Sequence, residues 1–317
     1  MSGTRGRVGS GGSGHRFGHA ELPPPQAVAL RRAKRLEVVT VLYMLTCVAV
    51  VFATAGSSQA MKTAWVEDIL GLIPPLAFLV GERFEAKAAN ARYHYGYDRI
   101  NGLGFLIAAV ALAAVGLFLL KDAVTALMAQ EHVTIGSTRL WGHDVWLGWF
   151  MLAAQAYACI PPFLIGRKEQ PLAERLRDKL IHTDALMNKA NWQTGLAGVV
   201  GVAGLGFGLW WADAAAAALI SAGIIWDGWK ALKVATSELI DGIPRELGAN
   251  TMSKEANAIA RALRREFPDA KVLMRETGRY IRAEVVGAKP GARFDPAKFE
   301  IDGLDSRWRL DSIAFRP

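Results

Sequence analysis

Long apolar blocks without charge constrain this chain more than any other feature of its sequence. Residues 38–61, 102–120 and 145–166 contain no Asp, Glu, Lys or Arg. Each block approaches the roughly 20 residues that a helix needs to cross a ~30 Å hydrocarbon core. Three further spans are predicted at 65–80, 184–207 and 209–226, although these carry a few acidic residues. The predicted fold is therefore an all-α bundle of six transmembrane helices, at 31–240.

The positive charges indicate how these helices are oriented in the lipid bilayer. The formal net charge is +8, and the Lys and Arg residues concentrate in the tails, between spans two and three, between four and five, and after span six. This alternation is the positive-inside pattern, and it argues against a nucleic-acid-binding face. It predicts an integral membrane protein, in the cell (inner) membrane, with both termini in the cytoplasm.

The two ends of the chain differ from the bundle. Residues 1–30 are predicted as a disordered tail, because their Gly, Ser, Arg and Pro content leaves little to bury. Residues 241–317 are predicted to form a small cytoplasmic α+β domain with the ferredoxin-like order α-β-β-α-β. Its signals are a Thr251 or Ser253 N-cap, a hairpin turning at Gly278, a short helix at 296–304 and a last strand at 308–315.

Paired prolines mark two of the predicted spans. Pro74-Pro75 falls in the middle of the second span and Pro161-Pro162 in the fourth. Each pair removes backbone hydrogen bonds, so it acts either as a hinge or as a fixed kink.

Three short motifs resemble those of the cation diffusion facilitator family. Residues 95–99 (YGYDR) precede the third span, 183–186 (TDAL) open the fifth, and 211–213 (WAD) open the sixth. The six-span layout, internal termini and α-β-β-α-β tail also match this family. The resemblance implies a homodimer that exports a divalent metal cation from the cytoplasm in exchange for protons. It also implies a tetrahedral site built from two ligands, four residues apart, on each of spans two and five.

The implied ligand positions are incompletely filled here. By the resemblance, Asp184 is the second ligand of span five, and Leu180 occupies the place of the first. On span two, either Glu67 is the first ligand and Gly71 follows it, or Asp68 is the second ligand and Ala64 precedes it. Carboxylates without an aligned histidine suit hard ions such as Mn²⁺, Mg²⁺ or Ca²⁺ better than Zn²⁺.

Other polar residues extend this candidate site. Asp184, Asn188 and Asn191 share one face of the fifth helix, at i, i+4 and i+7. With Glu67 and Asp68 they are predicted to line a polar cavity that binds the metal. The alternative is a set of interhelical hydrogen bonds, with Lys189 either pairing one of the acids or extending its side chain to the membrane surface.

Two functions remain open from the sequence. The first is a membrane transporter for proton-coupled efflux of a divalent metal cation, with the metal as substrate and no tightly bound cofactor. The second is a non-transporting scaffold or regulatory relative of the same fold. An enzyme is not expected, because the chain contains no HExxH, GxSxG or phosphate-binding loop. From Asp241 onward there is neither His nor Cys, so we expect the tail domain to serve dimerisation.

Overall fold

The computed structural model describes residues 22–54, 68–87, 89–130, 137–140, 143–146, 148–206, 211–288 and 307–316. Within these ranges, six long helices come before the C-terminal domain. They are α1 (Pro24–Thr54), α2 (Ile73–Glu85), α3 (Arg99–Ala129), α4 (Gly148–Leu176), α5 (Lys179–Gly206) and α6 (Ala212–Leu239). Among the described residues, the helix that is long and apolar enough to cross a membrane by length and composition is α3. The count of six membrane spans therefore stays a prediction.

The first helix begins earlier than the sequence predicts. Residues 24–30 were assigned to the disordered tail, but α1 starts at Pro24, and residues 1–21 lie outside the described part of the chain. Ala29 and Ala33 are 3% and 1% exposed and belong to the core of the bundle. The proline at the start is compatible with helix, since the first N–H groups of a helix have no intrahelical partner.

The two proline pairs take different positions. Residues 68–71 are helical, Leu72 forms a turn, and Pro74 and Pro75 lie in the first turn of α2. The second predicted span is therefore interrupted at Leu72, and the prolines open the helix that follows. Pro161 and Pro162 lie inside α4, which continues to Leu176.

Small residues allow α3 and α6 to pack closely. A Cβ placed on Gly228 of α6 would lie 2.8 Å from both the backbone N and the Cα of Ala113 on α3. Such a distance is too short for a carbon contact, and backbone atoms cannot move aside as a flexible side chain can. Glycine at 228 therefore sets how closely these two helices approach.

We expect Gly228→Val to lower the melting temperature of the detergent-solubilised protein by about 5 °C or more, because the two helices must separate. Gly223→Val is the matched control. It lies on the same helix, and a Cβ placed there meets no atom within 4 Å. Equal melting temperatures for the two variants would contradict this account of the α3–α6 contact.

The C-terminal domain follows local signals in the sequence. Its helix α7 (Lys254–Glu266) is capped by Ser253, whose Oγ accepts a hydrogen bond of 3.1 Å from the backbone N of Ala256. Strands β3 (Lys271–Thr277) and β4 (Tyr280–Val286) form the predicted hairpin, and Gly278 in its turn has φ +59°. The predicted helix at 296–304 lies outside the described residues.

One sheet organises this domain. Strand β5 (Leu310–Arg316) pairs in parallel with β4, which pairs antiparallel with β3, in the order β3-β4-β5. Helix α7 covers the sheet and shares with it a core separate from that of the bundle, including Ile259, Leu263 and Ile281. Strands β1 (Ser137–Leu140) and β2 (His143–Trp146) form a short antiparallel hairpin between α3 and α4, which the sequence did not predict.

Candidate metal-binding site

Three buried carboxylates meet inside the bundle. Glu37 comes from α1, Glu169 from α4 and Asp184 from α5, and their exposures are 0%, 0% and 1%. One oxygen from each lies within 4.8 Å of the others. We call these three residues the carboxylate triad.

The order of the helices brings the triad together at one end of the bundle. Glu37 lies in the first half of α1, Glu169 near the end of α4, and Asp184 near the start of α5. Helices α4 and α5 are consecutive and approach closely at Gly166, where an added Cβ would lie 3.3 Å from the Cβ of Asn188. Glu169, one turn beyond Gly166, therefore faces α5 beside Asp184.

Most of the triad's oxygens lack a hydrogen-bond donor. Both oxygens of Glu37, both of Asp184 and Oε1 of Glu169 are buried without a partner. The remaining oxygen, Oε2 of Glu169, accepts a hydrogen bond of 3.0 Å from Nδ2 of Asn188. In the described part of the chain, no Lys or Arg forms an ion pair with the triad.

This arrangement needs positive charge to be stable. Buried charges persist in proteins when they are paired, coordinated to a metal or neutralised by protons. Three like charges within 4.8 Å of one another add repulsion to the desolvation cost. The triad can therefore hold a cation, or it can hold protons in its place.

The donor set indicates which class of cation fits. All available ligand atoms are oxygens, which favour Mg²⁺, Ca²⁺ and Mn²⁺ over softer ions. Ligands at about 2.1–2.5 Å on opposite sides of one ion stand about 4–5 Å apart. The 4.8 Å limit on the triad's oxygens is compatible with one shared ion.

The sequence-predicted site residues fall into two groups in the structure. Asp184 and Asn188 lie in or beside the triad. Asn191 lies farther along α5, where its Nδ2 would be 3.8 Å from a Cβ placed on Gly71. Asp68, one helical turn before Gly71, interacts electrostatically with Tyr43 and Cys47 of α1. Glu67 lies outside the described residues.

Asp68 is therefore not a partner of Asp184 in one binding cluster. Tyr43 and Cys47 lie six and ten residues beyond Glu37 on α1, about 9–15 Å along the helix axis. The second span runs antiparallel to α5. The start of the second span, with Asp68, therefore lies opposite the part of α5 beyond Asp184, near Asn191. Of the predicted span-two ligands, Asp68 lies outside the triad, whereas the role of Glu67 stays a prediction. Asn191 lies beside Gly71, on a part of α5 that faces span two.

Two further positions differ from the sequence interpretation. Leu180 is fully buried in the hydrophobic core, with its Cδ2 2.9 Å from a Cβ placed on Gly104 of α3. It faces α3, and it is not among the residues of the carboxylate triad. Lys189 pairs with Asp227 of α6 at 3.3 Å, and among the described residues it forms no ion pair with Asp68 or Asp184.

Sequence reasoning missed Glu37 and Glu169. Glu37 directly precedes the first uncharged block, and Glu169 follows the third, 145–166, within a basic segment. An isolated acid among Lys and Arg at the end of an apolar block was the available signal. Such an acid marks a position to inspect, but it does not show which other acids lie beside it, because the three acids come from three different helices.

Comparison with known proteins identifies the family. Residues 36–240, more than half of the chain, match the cation efflux transmembrane domain. The chain belongs to the cation efflux family. It is thus a membrane protein, as the apolar blocks predict, and the resemblance to cation diffusion facilitators is confirmed. All three triad residues lie within the matched region.

A curated relative gives a narrower similarity. The chain is 21% identical over 199 residues to the manganese efflux system protein of Bacillus subtilis (strain 168). The match covers 63% of this chain and 64% of that protein, so it spans less than two thirds of the relative's length. Cation efflux is the activity that the family and this relative have in common.

Proposed function

We propose that this member of the cation efflux family exports a hard divalent cation, Mn²⁺ foremost, and that the carboxylate triad binds it. The observation that carries the proposal is the set of three buried carboxylates, five of whose six oxygens have no hydrogen-bond donor. A fold tolerates such a cluster when a ligand compensates it. A cation is the ligand that matches both its charge and its geometry.

The choice of ion rests on two independent supports. The donors are oxygens, with no His or Cys among the three residues, which disfavours Zn²⁺ relative to harder ions. The curated relative is a manganese efflux system protein. Mn²⁺ is therefore the first ion to test, with Mg²⁺, Ca²⁺ and Zn²⁺ as competitors.

Proton coupling follows from the chemistry of carboxylates. Each triad oxygen can hold either a proton or the metal, so binding of the cation releases protons and acid conditions release the cation. Exposing the triad alternately to the two sides of the membrane would then exchange protons for metal. Asn188, whose amide contacts Glu169 and the backbone oxygen of Asp184 at 3.3 Å, holds two of the ligands in position.

Orientation and assembly belong to the same proposal. The alternating basic loops support cytoplasmic termini, which place the triad near the cytoplasmic end of the bundle. A homodimer is supported by the family resemblance and by β3 and β5, which are the edge strands of the three-stranded sheet.

The proposal is tested by flux into proteoliposomes loaded with a metal-sensitive dye and a pH-sensitive dye. We expect the parent protein to move Mn²⁺ with opposite proton movement, and Glu169→Gln to reduce this flux at least ~10-fold because one charged ligand is lost. Glu174→Gln is the matched control. It lies on the same helix, is exposed, and hydrogen-bonds Gln170 at 3.2 Å.

Two outcomes would contradict the proposal. If Glu169→Gln transports as well as Glu174→Gln, the triad is not the transport site. If the parent moves none of the four ions, the non-transporting scaffold becomes the better function for this chain.

A further inference from the structure

The tip of the β3–β4 hairpin is inserted into the end of the helical bundle. Gly278 forms the turn and lies against the backbone oxygen of Asp98, at the start of α3. Arg279, which follows it, is 1% exposed. A turn residue of a small domain is normally solvated, so the burial of this arginine needs partners of opposite charge.

Those partners all come from the bundle. Nε of Arg279 donates to Oδ2 of Asp178 at 2.8 Å, and Nη2 lies 2.7 Å from the same oxygen. Nη1 donates to both oxygens of Glu85 at 3.2 Å, and Nη2 donates to Glu82. The guanidinium therefore joins the end of α2 to the segment between α4 and α5.

One of these partners determines where α5 begins. Oδ1 of Asp178 accepts hydrogen bonds from the backbone N of Leu180 at 2.9 Å and of Ile181 at 3.1 Å. Asp178 thus caps the helix that carries Asp184, less than two turns away. Because Arg279 holds the other oxygen of the same carboxylate, the hairpin fixes the cap and through it the start of α5.

Another partner connects to α1. Oε2 of Glu82 forms an ion pair of 2.8 Å with Nζ of Lys34. Lys34 lies three residues before Glu37, which is one turn of helix α1. The chain of contacts from Arg279 therefore reaches two of the three helices that supply the triad, each within two turns of its triad carboxylate.

A second set of ion pairs connects the hairpin to the start of α5. Lys179, the first residue of α5, pairs with Glu276 of β3, and also with Glu238 of α6 at 3.0 Å. Arg309 donates to the backbone oxygen of Arg279 at 3.0 Å and pairs with Glu276 at 2.6 Å, so it holds the hairpin itself in shape. Hairpin and helix thus form one buried ionic network.

Glu82 and Glu85, the two glutamates of α2 that contact Arg279, differ in their pKa values. Both lie beyond the apolar stretch 65–80 of the second predicted span. Burial alone would raise the pKa of Glu82, but Arg279 and Lys34 outweigh burial and hold that pKa below its usual value. Burial raises the pKa of Glu85 to about 7 despite the nearby Arg279.

We infer that Arg279 is a positioning residue for the carboxylate triad, and that docking of the hairpin on the bundle and cation binding at the triad favour one another. The inference rests on the proposed function. With the hairpin docked, the cap of α5 and the turn of α1 that carries Lys34 are fixed, and Asp184 and Glu37 are held at a distance that one ion can bridge. With the hairpin released, both segments are free to move, and the triad's carboxylates separate under their own repulsion.

The first test compares Mn²⁺ affinity by calorimetry on the full-length protein in detergent. We expect Arg279→Gln to weaken binding ~10-fold, within the usual range of coupling between sites, and Arg279→Lys to restore part of the loss by restoring the charge. The control is Arg316→Gln, another arginine of the same domain, which is 66% exposed and pairs with Glu284 at 2.9 Å. Affinities equal to that of the control would overturn the inference.

The second test needs no variant of the hairpin, so it holds even if Arg279→Gln fails to fold. Coupling between sites is reciprocal, so bound cation must stabilise the docked hairpin by the same factor. We expect saturating Mn²⁺ to slow amide hydrogen exchange in a peptide spanning 277–281 about 10-fold in the parent, and to have no effect in Asp184→Asn.

The outcomes separate the two proposals. A parent that binds Mn²⁺ without any change in hairpin exchange overturns the role of Arg279 and leaves the triad standing. A parent that binds none of Mn²⁺, Mg²⁺, Ca²⁺ and Zn²⁺ overturns the proposed function, and the positioning role falls with it.

Discussion

Asp184→Asn is expected to weaken Mn²⁺ binding at least ~100-fold and, at the same time, to stabilise the ion-free protein. Affinity falls because a charged ligand becomes a neutral one. Stability rises because the substitution removes a buried carboxylate that has no donor for either oxygen. Replacing such a charge by a neutral group of the same shape is expected to stabilise by about 1–3 kcal/mol. Calorimetry for binding and thermal melting at pH 8 with a chelator measure the two effects.

A paired carboxylate on a neighbouring helix provides the control. Asp227 of α6 forms an ion pair with Lys189 at 3.3 Å and is 27% exposed. Asp227→Asn should leave Mn²⁺ affinity unchanged and should not raise the melting temperature, because it removes a partner and relieves no repulsion. If Asp184→Asn lowers the melting temperature of the ion-free protein, the carboxylate has a structural role that the contacts do not show.

Local signals in the sequence were sufficient for the described part of the C-terminal domain. The Ser253 cap, the alternating strands and the Gly278 turn depend on neighbouring residues, and each appears in the structure. The apolar blocks likewise predicted long helices. By contrast, the start of α1 at Pro24 was missed, because the burial of Ala29 depends on other helices and not on its own surroundings.

The site could be predicted only in part. Asp184 and Asn188 share a face of one helix, and that relation can be derived from spacing alone. The meeting of Asp184 with Glu37 and Glu169 depends on how three helices pack, and no pattern in the sequence fixes that packing. The burial of Arg279 is another such case: the sequence shows an arginine after a turn glycine, and tertiary contacts alone place it among three carboxylates.

Leu180→His separates the sequence interpretation from the structure. By the resemblance, position 180 is a vacant ligand place, so a histidine there would restore a site for Zn²⁺. In the structure Leu180 is 0% exposed in the bundle core, packed on Gly104 of α3. An imidazole at this position would lose apolar packing and bury two nitrogens among carbon atoms, at a cost of about 3–5 kcal/mol.

We therefore expect Leu180→His to lower the melting temperature by at least about 6 °C and to leave the preference between Mn²⁺ and Zn²⁺ unchanged. Leu180→Met is the matched control, because a swap of similar volume costs less than ~1.5 kcal/mol. Thermal melting with each ion in turn checks both statements. A histidine variant that melts like the methionine variant and is stabilised by Zn²⁺ more than by Mn²⁺ would show that position 180 faces the metal. In that case the face of α5 toward α3 would have to be included in the binding site.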